Sequence, residues 1–303
     1  MTDNEFLLED RLQKIRSVIN KYGEENFSVS FSGGKDSTAL SALIDMALPG
    51  NKIPRVYANT GIELNMIRDF VCEMQKADDR IVIIKPAVPI KPMLERDGYP
   101  FKSKKHSENV AIYQKYKSLE NRIGLQHYLH ISEDGVNWSP QQSCPNILKY
   151  QFTNDFTLKV SDKCCLRLKE EPLRKWQKEN NRPYAIVGIM ASEGERRHGA
   201  VCLAFSGKKL KAFQPFAPVT KKWEDWFIAE YNVKICDIYN PPYNFERTGC
   251  KGCPFARYLQ NELDVLEKFF PNERKQCEAI WKPVYDEYRR IGYRLKKRKE
   301  DEE

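Results

Sequence analysis

Leu7, Leu8, Leu12, Ile15, Val18 and Ile19 recur at helical spacing, which predicts an amphipathic helix over 5–22 that ends near Gly23. Phe27-Ser28-Val29-Ser30-Phe31 is short and β-prone, Gly33-Gly34 turns the chain, and 37–48 reads as a helix that Pro49-Gly50 stops. A second short strand is predicted over 55–58, a helix over 63–76, and a buried third strand over 80–85 around Ile81-Val82-Ile83-Ile84. Strands alternating with helices predict an α/β fold built on a doubly wound, mainly parallel sheet.

From 86 to 162 the pattern loosens. Pro86, Pro89, Pro92, Pro100 and Pro145 punctuate it, and Lys102, Lys104, Lys105 and His106 make a basic patch, so this stretch reads as an insertion or lid. Order returns with a helix over 166–179, a strand over 184–189 and a helix over 222–231 bearing Trp223 and Trp226. Beyond Phe255 two helices are separated by Pro271, and a charged tail begins at Lys296. The expected division is therefore 1–85 and 163–254 as two halves of the α/β domain, 86–162 as the insertion, and 255–303 as C-terminal helices and tail.

Composition narrows the function classes. At 303 residues, with 41% hydrophobic and 12% aromatic side chains, the chain has enough apolar area for a sizeable core, which excludes wholesale disorder. The net charge of +8 suits anionic ligands such as nucleotides or nucleic acid, and equally a solubilising surface. No apolar run approaches the ~18 residues of a membrane span, and the acidic start Met1-Thr2-Asp3-Asn4-Glu5 lacks a secretory signal pattern, so a cytoplasmic protein is expected. Nine cysteines are an odd number, and Cys164 and Cys165 are adjacent; in a reducing compartment they point to metal or thiol chemistry before disulfides.

Ser32-Gly33-Gly34-Lys35-Asp36-Ser37 falls between a predicted strand and a predicted helix, where backbone N–H groups and a helix N-terminus attract an anion such as phosphate or pyrophosphate. The glycines allow close approach, Ser32 and Ser37 offer hydroxyls, and Lys35 adds a full mobile charge. Asp36 would repel phosphate unless it held Mg²⁺, which is the role expected of it. An ordinary βα turn needs one glycine and has no use for Lys and Asp between two serines.

Cys164-Cys165 and Cys250-Lys251-Gly252-Cys253 are the close cysteine pairs. Cys-x-x-Cys clamps one metal centre readily, with Gly249 and Gly252 turning the amides toward the sulfurs. Adjacent cysteines converge poorly on one Zn²⁺, whereas separated irons of a [4Fe–4S] cluster accept them at two corners. An iron–sulfur centre on Cys164, Cys165, Cys250 and Cys253 is thus favoured, with zinc and unligated buried thiols as alternatives. Cys72, Cys144, Cys202, Cys236 and Cys277 read as small buried thiols, although Cys144, beside Pro145 in the insertion, would carry sulfur if exposed.

The glycine loop resembles the PP-loop of the ATP pyrophosphatase-like superfamily and lacks the spacing of a Walker loop. The resemblance implies a Rossmann-like, adenine nucleotide alpha hydrolase-like fold, ATP as ligand, and cleavage between its α- and β-phosphates. Asn59-Thr60-Gly61-Ile62-Glu63 resembles the second nucleotide signature of the branch holding phosphoadenosine phosphosulfate (PAPS) reductases and related sulfurtransferases, which makes Thr60 and Glu63 candidate nucleotide ligands. Asp162-Lys163-Cys164-Cys165-Leu166-Arg167-Leu168-Lys169-Glu170-Glu171-Pro172-Leu173 looks like the Cys-Cys-x-x-x-Lys-x-x-Pro-Leu element of cluster-bearing adenylylsulfate reductases. Gly188-Ile189-Met190-Ala191-Ser192-Glu193-Gly194-Glu195-Arg196-Arg197 resembles the family run Gly-x-Arg-x-x-Glu-Ser-x-x-Arg. There Glu193 and Arg197 match, while Met190 replaces an arginine and Gly194 a serine. Pro215-Phe216-Ala217-Pro218-Val219 and Trp223-Glu224-Asp225-Trp226 are similar to a family helix entry and read as structural.

Reductases of this family attack with a cysteine in a C-terminal segment, and Cys277 is the last cysteine here. The PP-loop is also complete. The resemblance therefore favours a cluster-bearing, ATP-dependent and AMP-forming sulfurtransferase. Lys35, Asp36 and Arg197 are its expected catalytic residues; Ser32, Gly33, Gly34, Lys35, Asp36, Ser37, Thr60, Glu63 and Glu193 are its expected nucleotide ligands. The partners implied are an adenine nucleotide, a sulfur donor protein such as a cysteine desulfurase, and a nucleic-acid or small-molecule acceptor, with no membrane. The competing readings are a thiol-dependent adenylylsulfate or PAPS reductase and a non-enzymatic nucleic-acid module with a structural metal.

Overall fold

The computed structural model describes residues 1–132, 139, 142–193 and 199–297. The chain forms two units, Met1–Ala87 with Leu168–Gly249, and Val88–Arg167 with Cys250–Glu303. The first unit opens with α1 (Asp3–Tyr22), started by a capping box in which the Thr2 hydroxyl accepts from the Glu5 N–H and the Glu5 carboxylate accepts from the Thr2 N–H. It continues with β1 (Phe27–Phe31), α2 (Lys35–Ala47), β2 (Arg55–Ala58), α3 (Asn65–Ala77) and β3 (Ile81–Ile84). The second unit then receives α4 (Ile90–Asp97), α5 (Lys104–Tyr116) and α6 (Ile123–Leu129). The chain re-enters the first unit with α7 (Glu171–Glu179), β4 (Tyr184–Ile186), β5 (Leu203–Ser206), β6 (Lys209–Phe213) and α8 (Lys221–Glu230), and ends in the second with α9 (Leu259–Phe269) and α10 (Pro271–Ile291).

The sheet of the first unit runs β3-β2-β1-β4-β6-β5. Its pairings are parallel except β5 with β6. This is the doubly wound α/β architecture that the alternation of strands and helices predicts, with an antiparallel edge hairpin added. Strand order reverses at β1, which lies between β2 and β4, and such a reversal opens a ligand crevice at the carboxyl ends of the strands. Phe27 and Val29 of β1 and Ala39, Leu40, Leu43 and Ile44 of α2 have no exposed surface, so the strand and helix flanking the glycine loop are fixed by the core.

Three expectations change. The strand expected over 184–189 stops at Ile186, and the β5–β6 hairpin was hidden by its polar Ser206-Gly207-Lys208-Lys209 run. Gly207 sits at φ +60 in the first of the two loop positions, where a type II′ hairpin turn needs a glycine. Where the pattern loosens, over 86–162, the described residues hold α4, α5 and α6. His106 leaves the basic patch and turns inward: it is fully buried, its ring nitrogens 2.8 Å from the Tyr128 hydroxyl and 2.7 Å from Gln151 Oε1. Trp223 and Phe227 stack with ring centroids 5.3 Å apart, in keeping with a packing role for that helix. Among the described residues no helix is long and apolar enough to cross a membrane.

Candidate functional site

The glycine loop leaves the carboxyl end of β1 and enters α2, whose N-cap is Gly34. Gly33 bends at φ +69, and a Cβ there would stand 2.5 Å from Val71 Cγ2 in α3, so only glycine fits. The loop closes on itself. The Ser32 N–H donates to Ser37 Oγ (3.1 Å), the Gly34 N–H to Ser32 Oγ (3.2 Å), the two serine hydroxyls lie 3.0 Å apart, and Ser37 Oγ donates to the Gly34 carbonyl (3.0 Å). These bonds pre-shape the turn and leave the positive end of a 13-residue helix aimed at whatever sits over it.

Two cavities adjoin the loop within this unit. One, about 140 Å³, lies over the ends of β1 and β2 and is lined by Ser30, Phe31, Tyr57, Ala58, Glu63 and Ile67 together with Lys169, Leu173 and Thr248. The other, about 60 Å³, is lined by Ser32, Gly34, Lys35, Asp36, Tyr239, Glu246, Arg247 and Thr248. An apolar chamber beside a polar one suits a ligand with a planar ring at one end and charged oxygens at the other. Thr248 lines both cavities, and its hydroxyl is hydrogen-bonded to the Tyr239 hydroxyl. Tyr239, Arg247 and Thr248 escape sequence reasoning because they stand about 200 residues from the loop they border and form no recognisable motif.

The charged groups of the loop are paired across to α8. Lys35 forms an ion pair with Asp225. Asp36 Oδ1 lies 3.6 Å from Lys221 Nζ, which also donates to Glu224 Oε2 at 2.6 Å. Burial, with the neighbouring Asp36 charge, pushes the Glu224 carboxyl up to about 7. Thr60 and Glu63 are placed together as well: the Thr60 N–H and hydroxyl donate to the two Glu63 carboxylate oxygens at 3.1 and 2.6 Å. Glu63 lines the apolar chamber, whereas Thr60 is almost fully buried. Glu193 ends a short 3₁₀ turn after β4, and Arg197 lies outside the described residues.

All four cysteines expected to bind metal belong to the second unit. Cys164 and Cys165 open a helix that continues as a π-helical turn over Leu166–Glu170, and their sulfurs are 4.0 Å apart. The hydrogen bond to Cys165, burial, and the nearby Cys165, Cys253 and Cys250 raise the Cys164 thiol well above its ordinary range. Burial and Cys250 do the same for Cys253. The four sulfurs thus share one electrostatic neighbourhood, although among the described residues no three His, Cys, Asp or Glu side chains are grouped closely enough to cage a single metal ion.

The Cys250–Cys253 turn is held by α10 and the chain after it. Trp281 Nε1 donates to the Lys251 carbonyl (3.1 Å), the Tyr285 hydroxyl to that of Gly252, and the Tyr288 hydroxyl and Arg294 to that of Pro254 (2.9 and 2.7 Å). Lys251 itself is buried, its ammonium 3.0 Å from Glu273 and 2.7 Å from Gln276. Gly252 turns at φ +58 against Cys277, where a Cβ would clash. Cys144 is a small buried thiol, and burial pushes its pKa up to about 11, which removes the sulfur-carrying role that exposure would have given it. Cys277 has no exposed surface in α10, and burial raises it to about 12.

A search of curated protein sequences finds no significant match. Among solved structures, the chain is similar to a phosphoadenylyl-sulfate reductase from Candida auris solved as a phosphate complex, at 12% identity over 82% of this chain and 96% of that one, with a TM-score of 0.47. It is also similar to an NH3-dependent NAD synthetase from Campylobacter jejuni subsp. jejuni NCTC 11168 (12% identity, 98% and 99% covered, TM-score 0.42). A third is a U34-tRNA thiolase from Methanococcus maripaludis with its [4Fe–4S] cluster (14% identity, 92% and 80% covered, TM-score 0.41). The model of the phosphoadenosine phosphosulfate reductase domain family matches residues 103–256, just over half of the chain, and the chain belongs to that family.

Proposed function

We propose that this protein is an ATP-dependent, AMP-forming sulfurtransferase of the cytoplasm that carries a [4Fe–4S] cluster and acts on a nucleic-acid or small-molecule acceptor. The observation that carries the reading is the intact Ser-Gly-Gly-Lys-Asp-Ser loop at the point of strand reversal, opening a polar chamber that adjoins an apolar one. The adenosine would occupy the apolar chamber between Tyr57, Ile67 and Leu173. The triphosphate would lie over the loop amides, with Lys35 exchanging Asp225 for phosphate oxygen and Arg197 and Glu193 completing the site. An acceptor oxygen then attacks the α-phosphorus, the bond to the β-phosphate oxygen breaks, and pyrophosphate leaves. Sulfide, freed from the persulfide of a donor protein such as a cysteine desulfurase by a thiol reductant, next displaces AMP from the adenylated acceptor, forming the carbon–sulfur bond.

Cys164, Cys165, Cys250 and Cys253 would hold the cluster. The donors fit in kind, being four thiols in one unit and one electrostatic neighbourhood, and pairing them in separate segments suits a group larger than a single ion. When bound, such a cluster would carry one thiolate on each iron and would supply one-electron redox chemistry. The chain's part is to fix the Cys-x-x-Cys turn through α10 and to bury Cys164, while Cys165, Cys250 and Cys253 stay partly open.

The family match also favours a second reading, a thiol-dependent reductase of adenylylated sulfate. Against it, the two cysteines outside the cluster set considered for that attack, Cys144 and Cys277, are buried with raised thiols, and a nucleophile for a sulfonyl group must be an accessible thiolate. Incubating anaerobically purified protein with labelled ATP, sulfide and nucleic-acid acceptors, and in parallel with adenylylsulfate or PAPS and a reducing thiol, decides between them. AMP and pyrophosphate are expected; sulfite release from adenylylsulfate or PAPS, without ATP turnover, would replace this reading with the second.

A further inference from the structure

Glu224 is the one acid of α8 with no solvent exposure, and its two oxygens are treated differently. Oε2 accepts from Lys221 Nζ at 2.6 Å, while Oε1, equally buried, finds no protein donor, and the acid within hydrogen-bond reach of this carboxyl group is Asp36, itself an acceptor. Two buried acceptors facing each other without a donor between them are rare in folded proteins and mark a place where a proton or a cation belongs. What faces Glu224 is Asp36 of the glycine loop, whose negative charge acts directly on it. The ammonium of Lys221 lies near both acids, 3.6 Å from Asp36 Oδ1, yet its side chain is 47% exposed and free to swing into solvent.

We infer that Asp36 and Glu224 form a two-carboxylate seat for a divalent cation, Mg²⁺ in the nucleotide-loaded protein, and that Lys221 fills this seat when the metal is absent. Mg²⁺ is a hard ion that takes oxygen ligands and is commonly held by one or two carboxylates together with substrate phosphates and water. The seat offers that set: one acid on the phosphate-binding loop, one on the first turns of α8, and room for phosphate oxygens over the loop. Replacing the single charge of Lys221 by a double charge neutralises both acids and gives Glu224 Oε1 the partner it lacks. The inference deepens the ATP reading and rests on it for the identity of the phosphate ligand, though not for the metal seat itself.

Mn²⁺, read by electron paramagnetic resonance on the full-length protein with and without ATP, is the probe. Glu224→Gln keeps the shape and is expected to weaken Mn²⁺ binding by about tenfold or more. Lys221→Met keeps both acids and removes the competing cation, so it is expected to tighten Mn²⁺ binding severalfold, an effect no purely structural role of Lys221 would give. Unchanged Mn²⁺ affinity in Glu224→Gln, which is the outcome if Asp36 and Glu224 simply share a proton, overturns the inference. So does a Lys221→Met variant that binds Mn²⁺ no tighter than wild type, a test that holds even if Glu224→Gln fails to fold. Calorimetry of ATP in the presence of a chelator separates the two readings: no ATP binding to the wild type would remove the nucleotide site, while the nucleotide-free Mn²⁺ titration still decides the metal seat.

Discussion

The loop at 32–37 and the turn at 250–253 are both short, both bent by a glycine in the left-handed region, and both rimmed by the residues expected to do chemistry, but they are held in opposite ways. In the first, the side-chain bonds that close the loop reach no more than five residues along the chain. In the second, the donors and acids that fix the turn lie 22 to 40 residues away, on α10 and just beyond it. A locally closed loop carries its shape within its own motif. A remotely held one borrows its shape from a helix whose sequence says nothing of the task.

The comparison makes the second region the more fragile, and the largest effect is expected there. Lys251→Met leaves Glu273 buried beside an apolar side chain and should destabilise the protein by about 3–5 kcal/mol, whereas Lys251→Met with Glu273→Leu should recover most of that loss. Urea unfolding of the three proteins checks it, and equal stability of the single and double variants would show that the ion pair is not what anchors the turn. In the first region the shape should survive while the ligand is lost. Lys35→Ala is expected to keep wild-type stability and to weaken ATP binding by about 1.5–3 kcal/mol, tenfold or more, by calorimetry. A drop in stability in place of affinity would mean that the loop, too, depends on its long-range pair with Asp225.

The smallest effect distinguishes the units by acid. His106 lies in the second unit, and burial, opposed by its bond to Gln151, lowers its pKa to about 3. The folded state keeps it neutral while the unfolded chain protonates it below about pH 6.5, so its contribution to stability is complete above that pH and falls as the pH drops toward 3. Between pH 7.5 and 5 the loss should be about 2 kcal/mol. Denaturation at the two pH values, repeated with His106→Gln, measures it; the same pH slope in the variant would assign the acid sensitivity to other groups.

What could be read in the sequence follows the same line. The strands at 27–31 and 55–58, the loop and the break between α9 and α10 at Pro271 were legible, because period, glycine and proline act over a few residues. The cysteines were legible as two close pairs, because such pairs stand out in the spacing, and the structure places both pairs in the second unit. Hidden were the polar-turned hairpin of β5 and β6, the inward face of His106, and the residues that complete each region from afar: Tyr239, Arg247 and Thr248 around the loop, Glu224 opposite Asp36, and Glu273 under Lys251. Each is an ordinary residue in an ordinary helix or bend, and its role exists only through a neighbour that folding supplies.

The tethering of the 250–253 turn also bears on the order in which the protein is made. In small zinc domains the ligands are disordered until the ion arrives, and binding and folding are one event. Here the carbonyls of Lys251, Gly252 and Pro254 already have partners in the protein itself, and the turn is braced by a buried ion pair. With the turn held by these bonds, loss of the cluster proposed for its thiols is expected to leave the protein folded and able to take the group up again, in place of unfolding it.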